Sequence, residues 1–189
     1  RVRAAGAIII GKTNTPEIAI HLETVTDNLL VGPCRNPWDL TRTTGGSSGG
    51  AAAALVTGLC AVAVGSDGGG SIRIPASFCG VFGFKPSQGA VPRAGGLGRP
   101  DPNQFAQSGP ISNGVRDAAV LLRTLVGPDP RDPQPYLREA LPGDLADLDR
   151  PLGELRIGWS ADLGYGAVDP GVERVCADAA RAFEQLGCR

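Results

Sequence analysis

The chain has 189 residues, 42% of them hydrophobic, and a formal net charge of −1, values typical of a globular protein that can bury its own core. It has no basic run of the kind that binds nucleic acid, and its apolar stretches, such as Ala51–Val56, are too short to cross a membrane. Five cysteines without a C-x-x-C pair predict the reduced thiols of a cytoplasmic protein and argue against a zinc site.

The first forty residues alternate between apolar runs and turn signals. Arg1–Ala5 is predicted to be the last turn of a helix that begins earlier. The β-branched run Ala7–Ile10, bounded by glycines, predicts a buried strand. Pro16 marks a helix start, since proline favours the first helical position. Val31–Arg42 is predicted to be an extended loop.

The middle of the chain is rich in small residues. Gly49–Thr57 predicts a helix whose alanines can pack closely against a sheet, and Ala61–Val64 predicts a buried strand that leads into Ser66 and Asp67. Pro86–Gly109, rich in glycine and proline, is predicted to be a long ordered loop.

The last third of the chain shows two amphipathic patterns. Apolar residues at helical spacing predict helices over Val115–Val126 and Pro170–Leu186. Between them, the acidic and proline-rich stretch from Asp129 to Pro151 is predicted to be a surface excursion, and Arg156–Trp159 a strand. Because strands alternate with helices along the chain, the predicted fold class is α/β.

Two segments place a serine among glycines, where the backbone can turn sharply and approach a substrate closely. They are T-G-G-S-S-G-G-A-A-A-A with Ser47, and S-D-G-G-G-S-I-R-I-P-A-S-F-C-G with Ser71. Paired serines on such turns indicate nucleophilic catalysis, although Ser71 taken alone is more often a turn or helix-cap serine. The only histidine, His21, lies between apolar residues, which favours a structural role over that of a base.

These two segments, in this register, resemble the core motif of the amidase signature family. Further similarity lies in G-A-I-I-I-G-K-T-N-T-P-E, G-P-C-R-N-P-W-D, F-C-G-V-F-G-F-K-P and S-G-P-I-S-N-G-V-R-D-A-A-V-L-L. The resemblance implies an α/β amidase-signature fold, with a mixed β-sheet covered by helices on both faces. It further implies that residues 1–189 are the central part of a single such domain, truncated at both ends.

The resemblance also implies a catalytic triad of two serines and a lysine. Ser71 matches the nucleophile, and Ser47 matches the bridging serine that follows a cis peptide bond, here with Gly46. Their hydroxyls are then expected within or near hydrogen-bond reach. Neither Lys12 nor Lys85 matches the position of the family's lysine, so we expect the 189 residues alone to have little or no activity.

Other residues beside the nucleophile receive roles by the same resemblance. Backbone amides that converge on one point can hold the oxyanion of a tetrahedral intermediate. The positions that match the family's oxyanion hole are Gly68, Gly69, Gly70 and Ser71. Three more residues are predicted to support the site, with Asp67 and Arg73 interpreted as an ion pair or turn support and Ser48 as a hydrogen-bond partner or helix cap.

By resemblance, the function is the hydrolysis of a small-molecule carboxylic amide through an acyl-enzyme on Ser71. No cofactor or metal is needed, and no direct contact with nucleic acid or a membrane is expected. Two alternatives stay open: a glutamine-hydrolysing A subunit of a tRNA-dependent amidotransferase, with partner subunits, and an inactive truncated scaffold. A homodimer is also open. Ala51 and Gly68, smaller than the residues common in the family, favour a stand-alone amidase with room for varied acyl groups.

Overall fold

The computed structural model describes residues 1–19, 24–93, 105–132, 148–153 and 155–189. They belong to two compact units, residues 1–145 and residues 146–189. In chain order, the elements of the first unit are a 3-10 helix (Glu17–Ala19), β1 (Arg35–Asn36), β2 (Asp39–Thr43), α1 (Gly49–Val56), β3 (Val62–Asp67), α2 (Arg73–Cys79), β4 (Phe82–Gly83), β5 (Gln107–Ser112) and α3 (Val115–Leu125). The second unit contains α4 (Pro170–Gln185).

The first unit is built on a three-stranded antiparallel sheet in which β5 lies between β3 and β4. The β3–β5 register runs from Val62 opposite Ser112 to Asp67 opposite Gln107. A separate hairpin pairs β1 with β2. The α/β class predicted from the sequence is confirmed, and the strand pairs within the described ranges are antiparallel.

Small side chains allow α1 to pack closely against its neighbours. Ala51 and Leu55 of α1 form a buried cluster with Ile72 and Ile111, which joins α1 to the start of α2 and to the central strand. At the start of α1, a Cβ added to Gly50 would lie only 2.4 Å from the backbone nitrogen of Asn14. The glycine is therefore required for this close approach of two backbones.

The end of α3 is held by a residue from the start of the chain. The guanidinium of Arg1 donates to the carbonyl oxygens of Leu125, Val126, Gly127 and Pro128, at 2.6–2.8 Å. These carbonyls have no partner further along the helix, and a cation is favourable at the negative end of the helix dipole. Arg1 therefore acts as a C-cap for α3.

The second unit shows a well-formed helix start. The side chain of Asp169 accepts hydrogen bonds from the amides of Gly171 and Val172, and Pro170 occupies the first helical turn. The backbone of Arg189 donates to Leu155 O and accepts from Ile157 N, an alternation typical of parallel strand pairing. None of the side chains of α4 is buried.

Most of the predicted helices are confirmed, and two predicted strands are wrong for the described residues. The helices predicted over Gly49–Thr57, Val115–Val126 and Pro170–Leu186 correspond to α1, α3 and α4. Ala7–Ile10 is not a strand: Ile8 and Ile10 are 87% and 72% exposed, because none of the described segments pairs with them. Arg156–Trp159 is not a strand either, since the backbone bond from Ile157 N to Arg189 O is the only one that joins it to another segment among the described residues.

Three further predictions require correction or fall partly outside the described ranges. The predicted loop over Val31–Arg42 contains the β1–β2 hairpin. β3 exists, but Val62 and Val64 are 36% and 49% exposed, because only one of its faces carries buried residues. The described ranges do not include residues 94–104, residues 133–147 or His21. The predicted long loop and the predicted surface excursion are therefore covered only at their ends. None of the helices described is long and apolar enough to cross a bilayer.

The core cluster gives a direct stability prediction. Ile111→Ala removes a fully buried side chain that contacts both helices through the cluster. We expect the free energy of unfolding to fall by about 2–5 kcal/mol, the range for such truncations, as measured by denaturant titration. The matched control is Val120→Ala on α3, where the side chain is 52% exposed and the change should be small. Equal losses in both variants would contradict the assigned core.

Candidate active site

The two predicted serines lie on two turns that contact each other. Ser47 belongs to the serine turn, defined as Thr44–Gly49, which joins β2 to α1. Ser71, the predicted nucleophile, belongs to a segment that we name the nucleophile loop for that prediction, defined as Asp67–Ile72, which joins β3 to α2. The amide of Ser48 donates to the carbonyl oxygen of Ser71 at 3.1 Å, so the backbones of the two turns are joined directly.

The serine turn has the expected backbone conformation. The Gly46–Ser47 peptide bond is cis, which confirms the prediction. Ser47 is buried and Ser71 is half-buried. No hydrogen bond joins their two hydroxyls within the described part of the chain, so the turns are brought together without the direct hydroxyl contact that a proton relay would use.

The carboxylate of Asp67 organises the nucleophile loop. It is fully buried and accepts hydrogen bonds from the amides of Gly70, Ile72 and Arg73, at 2.6, 3.1 and 3.3 Å. The guanidinium of Arg73 adds two more, at 2.9 Å each. The predicted ion pair is therefore confirmed, and its acceptor holds backbone groups on both sides of Ser71.

These contacts determine the charge state of Asp67. Burial of the carboxyl raises its pKa, but the hydrogen bonds from Arg73 and from the three amides lower it by a larger amount. The resulting pKa is about 2. The pKa of Arg73 is raised, chiefly by its hydrogen bonds to Asp67. Asp67 is therefore ionised at neutral pH and suited to hold a loop, and it is not suited to accept a proton from Ser71.

The predicted oxyanion hole divides into two kinds of amide. Gly68 and Gly69 are exposed, and their amides, like that of Ser71, have no protein acceptor among the described residues. Gly70 differs from the expectation: it is buried, and its amide already donates to Asp67 at 2.6 Å. Three of the four predicted donors are therefore available to a substrate oxygen, and the fourth shapes the loop.

Ser48 is a structural partner, as one of its two predicted roles implied. Its hydroxyl donates to Ser66 O at 3.3 Å and accepts from Ser66 N at 3.2 Å, which ties the serine turn to β3. It occupies the N-cap position of α1, but its side chain caps no helix amide.

The sequence analysis missed Thr26, which is buried against the serine turn. Its hydroxyl contacts Gly45 O, Ser47 O and the amide of Gly49. In the sequence V-T-D-N, nothing distinguishes this threonine from a surface-loop residue, since its neighbours are polar and no periodicity surrounds it. Only the folded structure shows its burial.

The chain's two lysines are not placed as bases for Ser71. Lys85 Nζ donates to Pro86 O at 2.9 Å, and Lys12 is exposed on the wall of a 680 Å³ pocket formed by residues 12–17 and 28–31. Neither makes a hydrogen bond to Ser47 or Ser71 in the described structure. Among the described residues, no group of three His, Cys, Asp or Glu side chains could hold a metal.

Comparison with known proteins gives a consistent result. The Amidase family model matches residues 1–189. The chain is 46% identical to an acylamidase of Rhodococcus erythropolis and 41% identical to the A subunit of the glutamyl-tRNA(Gln) amidotransferase of Chromohalobacter salexigens. Each alignment covers 100% of this chain but only 39% and 38% of the relative. The chain thus spans about two-fifths of the length of these relatives.

A solved structure shows the same likeness. A bacterial aryl acylamidase of the amidase signature enzymes family is 40% identical, with a TM-score of 0.79. The match covers 88% of this chain and 34% of that one.

The low pKa of Asp67 predicts how stability depends on pH. Because the pKa in the fold, about 2, lies below the ordinary value, ionised Asp67 stabilises the protein above about pH 4, and this contribution is lost as the pH falls toward 2. The loss should amount to about 2 kcal/mol. We expect the difference in unfolding free energy between wild type and Asp67→Asn to shrink by this amount between about pH 6 and pH 2.

The control for this measurement is Asp117→Asn, which alters an exposed carboxylate in the first turn of α3. Its difference from wild type should change much less over the same range. A constant difference for Asp67→Asn at both ends of the range would show that the carboxylate does not hold the loop in its ionised form.

Proposed function

The chain belongs to the amidase family, and on that premise we propose that it hydrolyses carboxylic amides through an acyl-enzyme on Ser71. The observation that carries the proposal is the contact between the serine turn and the nucleophile loop through Ser48 N and Ser71 O. It brings a buried serine and a half-buried serine together beside three amides without protein acceptors in the described structure. A serine nucleophile, a second hydroxyl and free backbone amides are groups that covalent catalysis with an oxyanion hole can use.

In the proposed reaction, Ser71 Oγ attacks the amide carbonyl carbon while its proton passes through the Ser47 hydroxyl to a base. The amides of Gly68, Gly69 and Ser71 donate to the oxygen that becomes negative. The C–N bond then breaks, and the departing amine takes the proton. Water attacks the resulting ester, releases the carboxylic acid and restores the Ser71 hydroxyl, so no cofactor is consumed.

The base in this proposal is a lysine outside the 189 residues, since neither lysine within them contacts the two serines. Direct transfer of the Ser71 proton to Asp67 is unfavourable, because a carboxylate with a pKa of about 2 is a very weak base.

The five cysteines are free, which supports a reducing compartment such as the cytoplasm. A homodimer stays a prediction.

We propose that the full-length protein is a stand-alone amidase that accepts varied acyl groups. Gly68 is exposed on the nucleophile loop, and we propose that its lack of a side chain leaves room for varied acyl groups; a 46% identical relative is an acylamidase. Ala51, in contrast to the prediction from the sequence, does not widen the acyl site: it is 1% exposed and packs in the core cluster, so its size affects packing. Similarity to the amidotransferase subunits keeps glutamine hydrolysis as the second candidate.

The nucleophile assignment is tested by Ser71→Ala in the full-length protein. We expect kcat for amide hydrolysis to fall by at least about 10⁴-fold, because triad members act as a unit. Ser77→Ala, an exposed serine on α2, is the control and should keep wild-type kcat. The 189-residue chain assayed alone should show little or no turnover. Unchanged activity in Ser71→Ala would refute the assignment.

The substrate class is tested by assaying the full-length protein, without partner subunits, on aryl acylamides, aliphatic amides and glutamine. We expect kcat/KM for the best aryl or aliphatic amide to exceed that for glutamine by at least about tenfold, which is the preference proposed here for a stand-alone amidase. Preference for glutamine, or activity only after amidotransferase partner subunits are added, would favour the second candidate.

A further inference from the structure

Thr26 is a buried polar residue that the reaction described above does not use. Its side chain is 1% exposed, and its hydroxyl lies 2.9 Å from Gly45 O, 3.4 Å from Ser47 O and 3.1 Å from Gly49 N. A threonine hydroxyl has one proton to donate and two lone pairs to accept with. It can therefore accept from the Gly49 amide while it donates to one of the two carbonyl oxygens.

The three partners of this hydroxyl bracket Ser47 in the sequence. Gly45 precedes it by two residues, Ser47 contributes its own carbonyl, and Gly49 is the first residue of α1. A single hydroxyl thus fixes the entry to the serine turn, the backbone of Ser47 and the start of the helix. Buried backbone groups without a partner are costly. Gly45 O also accepts from Thr44 Oγ1 at 3.0 Å, so the turn depends on Thr26 chiefly at Ser47 O and Gly49 N.

The backbone beside Thr26 forms a wall against the same turn. A Cβ added to Gly46 would lie 2.5 Å from Val25 O, so Gly46 fits directly against this segment. The segment is itself held, because Cys34 N donates to Thr26 O at 2.8 Å. On the opposite side, the turn is joined to the nucleophile loop through Ser48 N and Ser71 O. Ser47 is therefore held between Thr26 and Ser71.

We infer that Thr26 is a positioning residue for the amidase reaction, whose hydroxyl sets the place of Ser47 relative to Ser71. The inference rests on the proposed function, in which the Ser47 hydroxyl carries the proton that leaves Ser71. A displacement of about 1 Å in such an arrangement can reduce the rate about 100-fold. The described contacts of the Thr26 hydroxyl are with backbone atoms of the serine turn and not with the hydroxyls of Ser47 or Ser71, so it acts through the geometry of the serine turn.

The test compares Thr26→Val, which keeps the shape of the side chain but loses the hydroxyl, with Thr26→Ser, which keeps the hydroxyl but loses the methyl group. Both are made in the full-length enzyme, and kcat is expressed per active site titrated with a fluorophosphonate that labels the nucleophilic serine. We expect Thr26→Val to lower kcat about 10- to 100-fold with little change in KM. Thr26→Ser should restore kcat to within about threefold of wild type.

The matched control is Thr57→Val, which removes an exposed hydroxyl bonded to Ala53 O at the far end of α1 and should leave kcat unchanged. If Thr26→Val does not fold, Thr26→Ala takes its place in the comparison with Thr26→Ser. A merely structural role would reduce the number of titrated sites and leave kcat per site unchanged, which would overturn the inference. Loss of kcat in Thr26→Ser equal to that in Thr26→Val would overturn it as well.

Failure of the proposed function gives a different result. If Ser71→Ala keeps wild-type turnover, the nucleophile assignment is wrong and the inference on Thr26 falls with it. If Ser71→Ala is inactive and Thr26→Val keeps wild-type kcat per site, only the inference on Thr26 is wrong.

Discussion

The site depends above all on the buried carboxylate of Asp67. It stands at the end of β3 and accepts five hydrogen bonds from three residues, Gly70, Ile72 and Arg73. These bonds force the chain to turn between strand and helix and leave Ser71 between two anchored residues. A negative charge is kept in the interior because the bonds compensate for its desolvation. The same charge faces the first amides of α2, where the helix dipole is positive.

The second turn is held by hydroxyl groups in place of a charge. Thr26 and Thr44 both contact Gly45 O, and Ser48 joins the turn to β3 through Ser66. In the described parts of both turns, these supporting groups are hydrogen-bonded within the protein. No such bond is made there by the two serine hydroxyls or by the amides of Gly68, Gly69 and Ser71. The groups left for a substrate are thus those that the proposed reaction would use.

The sequence was informative where a local pattern has a single physical cause. Helical spacing identified α3, and the family motif identified the serines and the peptide conformation at Ser47. The strand prediction failed at Ala7–Ile10 because an apolar run becomes a strand only when another segment supplies its backbone partners, which no local pattern reveals. Likewise, a run of three glycines does not show which of their amides donates to Asp67. The role of Thr26 could not be predicted because it depends on contacts with residues far along the chain.

The hydrogen bonds of the first unit differ greatly in the length of chain that they enclose. The bond from Gly49 N to Thr26 spans 23 residues and that from Arg73 to Asp67 spans six, whereas the bond from Arg1 to Pro128 spans 127. Each doubling of a flexible loop adds about 0.6 kcal/mol to the entropy cost of closing it. The entropy cost of loop closure is therefore smaller for the bonds that hold the serine turn and the nucleophile loop than for the bond that brings Arg1 to the end of α3.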